Sequence, residues 1–314
     1  MTGGDALRNS VDLARLADDL GFARYWVAEH HGTGMLAGTS PEILIGPIAA
    51  ATTRIRVGSG GVMLPHYSPL KVAEVFSQLA AFFPGRIDLA VGRAAGTDPV
   101  TAFALQRDRR SPAPDDFPEQ LSELLAYVRD GFPATHRFGR LSALPGLPEQ
   151  PEPWLLGSSP QSGVWAAELG LPYAFADFIN PAGADVARRY REYFVPSARQ
   201  PHPYVVVAAW ALCAESEEEA EQLASSSRMA FAHFLAGQPI RVPPVDVALD
   251  FLAQHPESLD ALARRRRTIV GPPGAVRRGL ETLAAEYGAD EVMVVTITYD
   301  HAARRRSYEL LARA

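Results

Sequence analysis

The chain has 314 residues, 47% of them apolar and 21% charged, and a formal net charge of -6. It is long enough for one large barrel or two ordinary domains, too apolar to be disordered, and of the wrong sign for broad binding to nucleic acid or anionic membrane. Its single cysteine, Cys213, allows no internal disulfide and reads as a buried packing residue; no charged-then-apolar leader opens the chain and no apolar run spans a bilayer, so the expectation is a soluble, cytoplasmic protein.

Residues 4–20 place Leu7, Val11, Ala14 and Leu20 at helical spacing, with Leu13 and Leu16 widening the stripe and Gly21 as a stop. A strand of Tyr25, Trp26, Val27 and Ala28 then runs out into Glu29, His30 and His31. The stretch 41–52 reads as a helix capped by Ser40, with Pro41 in its first turn and Pro47 implying a kink. A strand at 54–57 enters Gly58-Ser59-Gly60-Gly61, and 69–83 is a helix capped by Ser68. A strand follows at 87–92, then a helix at 117–129 after a loop rich in Pro and Asp. Residues 131–152 have many Gly and Pro and little periodicity, and read as an excursion with room for a short hairpin.

Alternation then resumes, with strands at 154–157, 173–176 and 204–214 and helices at 161–169, 182–194 and 217–234. Residues 236–270 look like an insertion with one irregular helix. A helix at 273–287, a strand at 291–298 and a closing helix at 301–312 complete the chain. The basic runs 264–267 and 304–306 read as solvated helix faces. The β–α alternation predicts a parallel sheet with right-handed crossovers. Seven strands are visible; an eight-stranded barrel needs one more ahead of the first helix, and residues 1–4 cannot supply it.

In such a barrel, functional groups gather where strands end. Glu29, His30 and His31 stand at one strand end, against the plainer reading of a polar loop or a structural salt bridge. Ser59, Gly60 and Gly61 follow another, where glycines permit close approach of a flat ligand, although a turn or bulge explains them equally well. Arg93, just past a third, suits bidentate grip of a phosphate, or an ion pair with a neighbouring loop. Gly157, Ser158, Ser159 and Ser162 open a helix, whose unpaired N–H groups and hydroxyls favour an anion; a simple N-cap needs only one serine. No H-E-x-x-H, paired C-x-x-C, G-x-S-x-G or Walker A motif is present, so no metal site is expected. An apolar, aromatic interior with a phosphate-friendly rim suits a planar phosphorylated cofactor that performs the redox chemistry itself.

In this order the motifs resemble the bacterial luciferase-like monooxygenase family. The matching pieces are Trp26-Val27-Ala28-Glu29-His30-His31, Val57-Gly58-Ser59-Gly60-Gly61-Val62-Met63-Leu64-Pro65, Pro84-Gly85-Arg86-Ile87-Asp88-Leu89-Ala90-Val91-Gly92-Arg93, Leu155-Leu156-Gly157-Ser158-Ser159 and Ala289-Asp290-Glu291-Val292-Met293-Val294. The resemblance implies an α/β fold, a (β/α)8 TIM-type barrel forming a single domain over 1–314, with its first strand missing here. It implies reduced FMN supplied by a separate reductase, or F420 as in some relatives. It places His30 beside the flavin and O2, with Glu29 next to it, and Arg93, Ser158 and Ser159 on the phosphate, with Ser162 a third ligand one turn on. A non-proline cis peptide between Gly60 and Gly61 is expected against the flavin ring.

The expected reaction is monooxygenation of a small organic substrate, with water excluded and His30 exchanging a proton while Glu29 orients it or holds charge nearby. The alternatives are F420-dependent hydride transfer, or a non-catalytic barrel that binds flavin or a partner. The resemblance, with the wide apolar stripes of 41–52 and 69–83, implies a homodimer. Trp165, Trp210, Phe178 and Met63 either line the substrate pocket or pack the core.

Overall fold

The structure is a computed structural model that describes residues 2–112, 114–146, 149–197 and 199–313. Two compact units divide the chain, one of residues 1–32 and 37–154, the other of 33–36 and 155–314.

The first unit runs α1 (Gly3–Asp19), β1 (Arg24–Val27), α2 (Pro41–Ala51), β2 (Arg56–Met63), α3 (Pro69–Phe82), β3 (Ile87–Gly92), α4 (Pro99–Leu105) and α5 (Phe117–Leu125). Thr2 caps α1 through a reciprocal box with Asp5, and Gly21, at φ +83°, turns the chain out of it. The three strands are parallel, with Arg24 beside Arg56 and Gly58 beside Asp88. The β2–β3 register shifts between Gly60 and Val62. α4, capped by Asp98, falls in the loop expected to lack structure.

Two buried carboxylates fix this unit. Asp88 accepts from Arg24 Nη1 (2.9 Å), Trp26 Nε1 (2.9 Å) and Arg56 Nε (2.8 Å), tying the starts of all three strands. A Cβ on Gly58 would stand 2.6 Å from that of Asp88, so the neighbouring strand must carry glycine there. Glu152 also pairs with Arg56 (2.8 Å), and burial followed by the charge of Asp88 pushes its carboxyl upward. The second carboxylate, Asp18 at the end of α1, accepts from the backbone N–H groups of Thr53 (2.7 Å), Arg54 (3.1 Å) and Ile55 (2.8 Å) and so clamps the turn before β2.

The second unit holds the latter half of β4 (Glu152–Gly157), then α6 (Pro160–Glu168), β5 (Tyr173–Ala176), α7 (Ala184–Glu192), β6 (Val205–Cys213), α8 (Glu217–Leu235), α9 (Val245–Gln254), α10 (Pro256–Arg265), β7 (Thr268–Gly271), α11 (Pro273–Tyr287), β8 (Glu291–Val295) and α12 (His301–Arg313). β4, β5 and β6 pair in parallel order. β6 then serves two partners: Val206 to Trp210 pair with β8, and Trp210 to Cys213 with β7. Ala211 and Cys213 pack on Val276 and Leu310 of α11 and α12. Cys213 is buried as expected, and burial pushes its thiol up to about 11.

The parallel β–α order matches expectation, but eight strands are described rather than seven. The additional one is β7, inside the stretch read as an insertion with one irregular helix; that stretch holds two helices and this strand. β7 has four residues and directly follows the basic run, so no period-two pattern announces it. Among the described residues, no strand precedes α1 and no hairpin occurs in 131–152. The basic runs are not plain solvated faces: Arg267 pairs with Glu286 (2.6 Å), and Arg306 with Glu309 (2.9 Å) and Glu215.

Burial opposes ionisation of Asp18, but the three backbone donors outweigh it and hold its carboxyl at about 2. The folded value lies below the ordinary 3.8, so the clamp is complete above about pH 4 and is lost as pH falls towards 2. Asp18→Ala is expected to lower unfolding free energy by about 1–3 kcal/mol at pH 7. Denaturant titrations of wild type and variant should converge as pH approaches 2.

Candidate active site

In the first unit the chain leaves β1 through Glu29, which is fully buried. Its Oε1 accepts from Tyr67 OH (3.1 Å) and faces His31 Nε2 at 2.7 Å; its Oε2 accepts from Met63 N–H (2.9 Å). One carboxylate thus joins the end of β1 to the end of β2 and to Tyr67 beyond it. Burial, then the charge of Glu29, pushes the Tyr67 phenol upward, so it stays a donor. The His31 ring packs edge-on to His66 at 5.7 Å, and His66 Nε2 donates to Ala95 O (2.8 Å).

Of the two roles expected of Glu29, the structure shows its charge near His30 but no bond that orients it. Glu29 holds His31, not His30. Residues two apart on an extended chain share a face, so the 29–31 pairing was available from period two alone. The His30 ring lies instead with Nδ1 3.3 Å from Gly96 O. A carbonyl only accepts, so Nδ1 carries the proton and Nε2 is left as a lone pair. Nε2 has no hydrogen-bond partner among the described residues. Burial lowers the pKa of this imidazole, outweighing the Gly96 carbonyl and the Glu29 charge, which raise it. His30 is therefore neutral at pH 7. Gly96 is itself required: φ is +63°, and a Cβ would meet Glu29 O at 3.0 Å and Met63 Cγ at 3.1 Å. Tyr67, His66 and Gly96 were missed from the sequence, because each stands far along the chain from the motif it serves.

The peptide bond between Gly60 and Gly61 is cis, as the resemblance implied. Ser59 is fully buried and its hydroxyl donates to Ala90 O (2.8 Å), so it locks β2 to β3. Arg93 makes a bidentate pair with Asp115 on a neighbouring loop (3.1 and 2.5 Å), both side chains being largely exposed.

In the second unit, Gly157 ends β4 where a Cβ would stand 2.2 Å from Ser162 Oγ. Ser159 is the N-cap of α6 and accepts from Ser162 N–H at 3.4 Å. Ser162 is buried; its hydroxyl donates to Ser159 O (2.7 Å) and also contacts Tyr173 OH (2.8 Å), so it braces the turn from inside. Asn180 Nδ2 donates to Ser158 O (3.0 Å), a brace the sequence did not reveal. The Ser158 hydroxyl has no hydrogen-bond partner among the described residues. Arg93 and these serines belong to different units, and each is described in its own.

The chain matches the luciferase-like monooxygenase family over residues 1–291 and belongs to that family. It is 41% identical to a luciferase-like monooxygenase of Escherichia coli (strain K12), covering 98% of this chain and 90% of that one. It is 37% identical to the N-acetyl-S-alkylcysteine monooxygenase of Bacillus subtilis (strain 168), covering 100% and 93%. Among solved structures, apo-MsnO8 shares 41% identity and superposes with a TM-score of 0.90, covering 100% of this chain and 92% of that one. Two more distant structures share the fold. One is the FMN complex of the oxygenating constituent of 3,6-diketocamphane monooxygenase from Pseudomonas putida (20% identity, TM-score 0.71, 100% and 93% covered). The other is an F420-dependent secondary alcohol dehydrogenase (15%, 0.66, 99% and 96%). The fold class is α/β, of the TIM-barrel type of these monooxygenases, and the chain is an enzyme of the luciferase-like monooxygenase class.

Glu29→Gln replaces an acceptor of three contacts by an amide that accepts at one atom only. It is expected to cost about 2 kcal/mol in denaturant unfolding, and Tyr67→Phe about 1 kcal/mol, since that change leaves the other two contacts intact. The reverse order would show that Tyr67, not Glu29, organises the cluster.

Proposed function

We propose that this protein is a flavin-dependent monooxygenase that uses reduced FMN, delivered by a separate reductase, and O2 on a small organic substrate. The observation that carries the reading is His30: a half-buried neutral imidazole at a strand end, with Nδ1 committed to Gly96 O and Nε2 unengaged. That is the state required of a proton acceptor at neutral pH. The family membership supplies the reaction class.

Taken unit by unit, the residues fit parts of a flavin nucleotide. Gly60 and Gly61 offer backbone without side chains. Ser158 offers an unengaged hydroxyl, Ser159 an exposed one, and α6 an N-terminus, all suited to phosphate. Arg93 offers a fork held meanwhile by Asp115, an exposed pair easily exchanged. Ser59, Gly157 and Ser162 shape the strand ends rather than donate outward. When bound, reduced FMN supplies the electrons that leave one oxygen atom of O2 in the product and the other in water. His30 takes up a proton at Nε2, and Glu29 keeps His31 and Tyr67 fixed beside it.

The same fold also serves F420 in a distant relative, so the cofactor is tested directly. Titration with FMN and with F420, followed by flavin fluorescence, should show FMN binding; quenching of F420 alone would reverse the choice. We propose further that the protein is cytoplasmic and dimerises through α2 and α3, where Ile43 and Phe82 are 72% and 77% exposed. No described helix is long and apolar enough to cross a membrane.

His30→Ala is expected to lower substrate turnover by about 100-fold or more while leaving FMN affinity unchanged. Since burial places the His30 pKa below 6.5, wild-type turnover should fall only on the acid side of that value as Nε2 protonates, and the residual activity of the variant should lack this limb. Unchanged turnover in His30→Ala would remove the imidazole from the mechanism.

A further inference from the structure

The last two arginines of the run 264–267 have opposite surroundings. Arg267 is paired with Glu286 through two contacts (2.6 and 3.1 Å), and its Nε lies 3.9 Å from Asp177 Oδ2. Among the described residues, Arg266 has no carboxylate within 4 Å, and no oxygen accepts from its guanidinium. Its guanidinium carbon lies 4.6 Å from the Trp210 ring centre and 4.7 Å from that of Phe231. Phe178 stacks on Trp210 at 5.6 Å with the planes 9° apart. Burial alone moves the Arg266 guanidinium, and downward, as expected for a cation taken from water with no anion in return.

Arg228, close by, does not share this shortage of anions. A cleft beside Trp210 is lined also by Leu212, Ser227, Arg228, Thr268 and Val270, and Arg228 there is satisfied by Glu221 (3.0 Å). Aromatic faces compensate a guanidinium only in part, and they leave its planar N–H fork free to meet a planar anion. An acid with an apolar body meets both demands: the carboxylate on the fork, the body on the aromatic rings.

We infer that Arg266 is the receptor for a carboxylate on the organic substrate, whose apolar portion lies against Phe178, Trp210 and Phe231. The word substrate rests on the monooxygenase reading; the acid-binding site does not. All four residues belong to the second unit.

The test titrates the full chain, without flavin, with 3-phenylpropanoate, hexanoate and (methylthio)acetate and with the primary amide of each, by calorimetry and tryptophan fluorescence. One or more acids should bind about 10-fold or more tightly than the matching amide, the scale of a charge-assisted bidentate contact. Arg266→Gln should erase that preference while leaving the amide affinity and the unfolding midpoint unchanged, and Arg266→Lys should retain part of it. Absence of acid binding, equal binding of acid and amide, or a preference that survives in Arg266→Gln overturns the assignment. A fourth arm compares FMN with riboflavin: if Arg266→Gln weakens FMN alone, the residue serves the flavin phosphate and the assignment is likewise overturned. An intact acid preference in a protein that binds no FMN upholds the acid site and overturns only the oxygenase reading.

Discussion

Everything in the first unit depends on Asp88 being surrounded by donors. It is fully buried, and two guanidinium groups and one indole N–H converge on it from β1 and β2. Removing one partner of such a cluster typically costs about 3–5 kcal/mol, because the remaining charge stays buried and uncompensated. The cluster also fixes register. Arg24 and Arg56 are direct neighbours across β1 and β2, and both reach Asp88 on β3. A slip of one residue would turn these side chains to the opposite face of the sheet. The strand ends that carry Glu29 and the Gly60–Gly61 step are therefore positioned by charge pairing at the strand starts.

Glu29 plays the complementary part at the other end. It is as deeply buried as Asp88, but its partners are weaker and more varied: an imidazole, a phenol and a backbone N–H. Among the described residues, this leaves the His30 ring bonded to a carbonyl and to no carboxylate. The cluster thus gives two adjacent histidines different partners. His31 is fixed by an acid, while His30 keeps an unengaged ring nitrogen. The same division runs through the serines of the second unit, where Ser162 is spent on the turn and Ser158 is not.

Much of this was legible in the sequence, for identifiable reasons. Helices α1, α3 and α11 announce themselves by long apolar periodicity and clear stops, and the motif order along the chain identified the family. The cis Gly60–Gly61 step was expected from the resemblance, since the glycines by themselves fit a turn or bulge equally well. What was not legible depends on contacts distant in sequence. Tyr67 reaches Glu29 across 38 residues, and Gly96 reaches His30 across 66. Neither has a local pattern that points to its partner. β7 was missed because four residues are too few to show alternation, and its identity as a strand comes from pairing with β6 rather than from its own composition. The basic run beside it looked like a solvated surface because charge patterning carries no information about which aromatic side chains fold over it.

The forked pairing of β6 limits how this scaffold can vary. Trp210 stands opposite both Val295 of β8 and Thr268 of β7, the one residue at which the two ladders meet. A single-residue insertion or deletion upstream of it within the strand would set one ladder out of phase with the other, since inward and outward positions alternate. A change in length is therefore accommodated more easily in the loop that follows α8, where no ladder has to be kept in step. The aromatic side chain at the junction is held in place by two partners at once, so this point should be among the least adaptable of the fold.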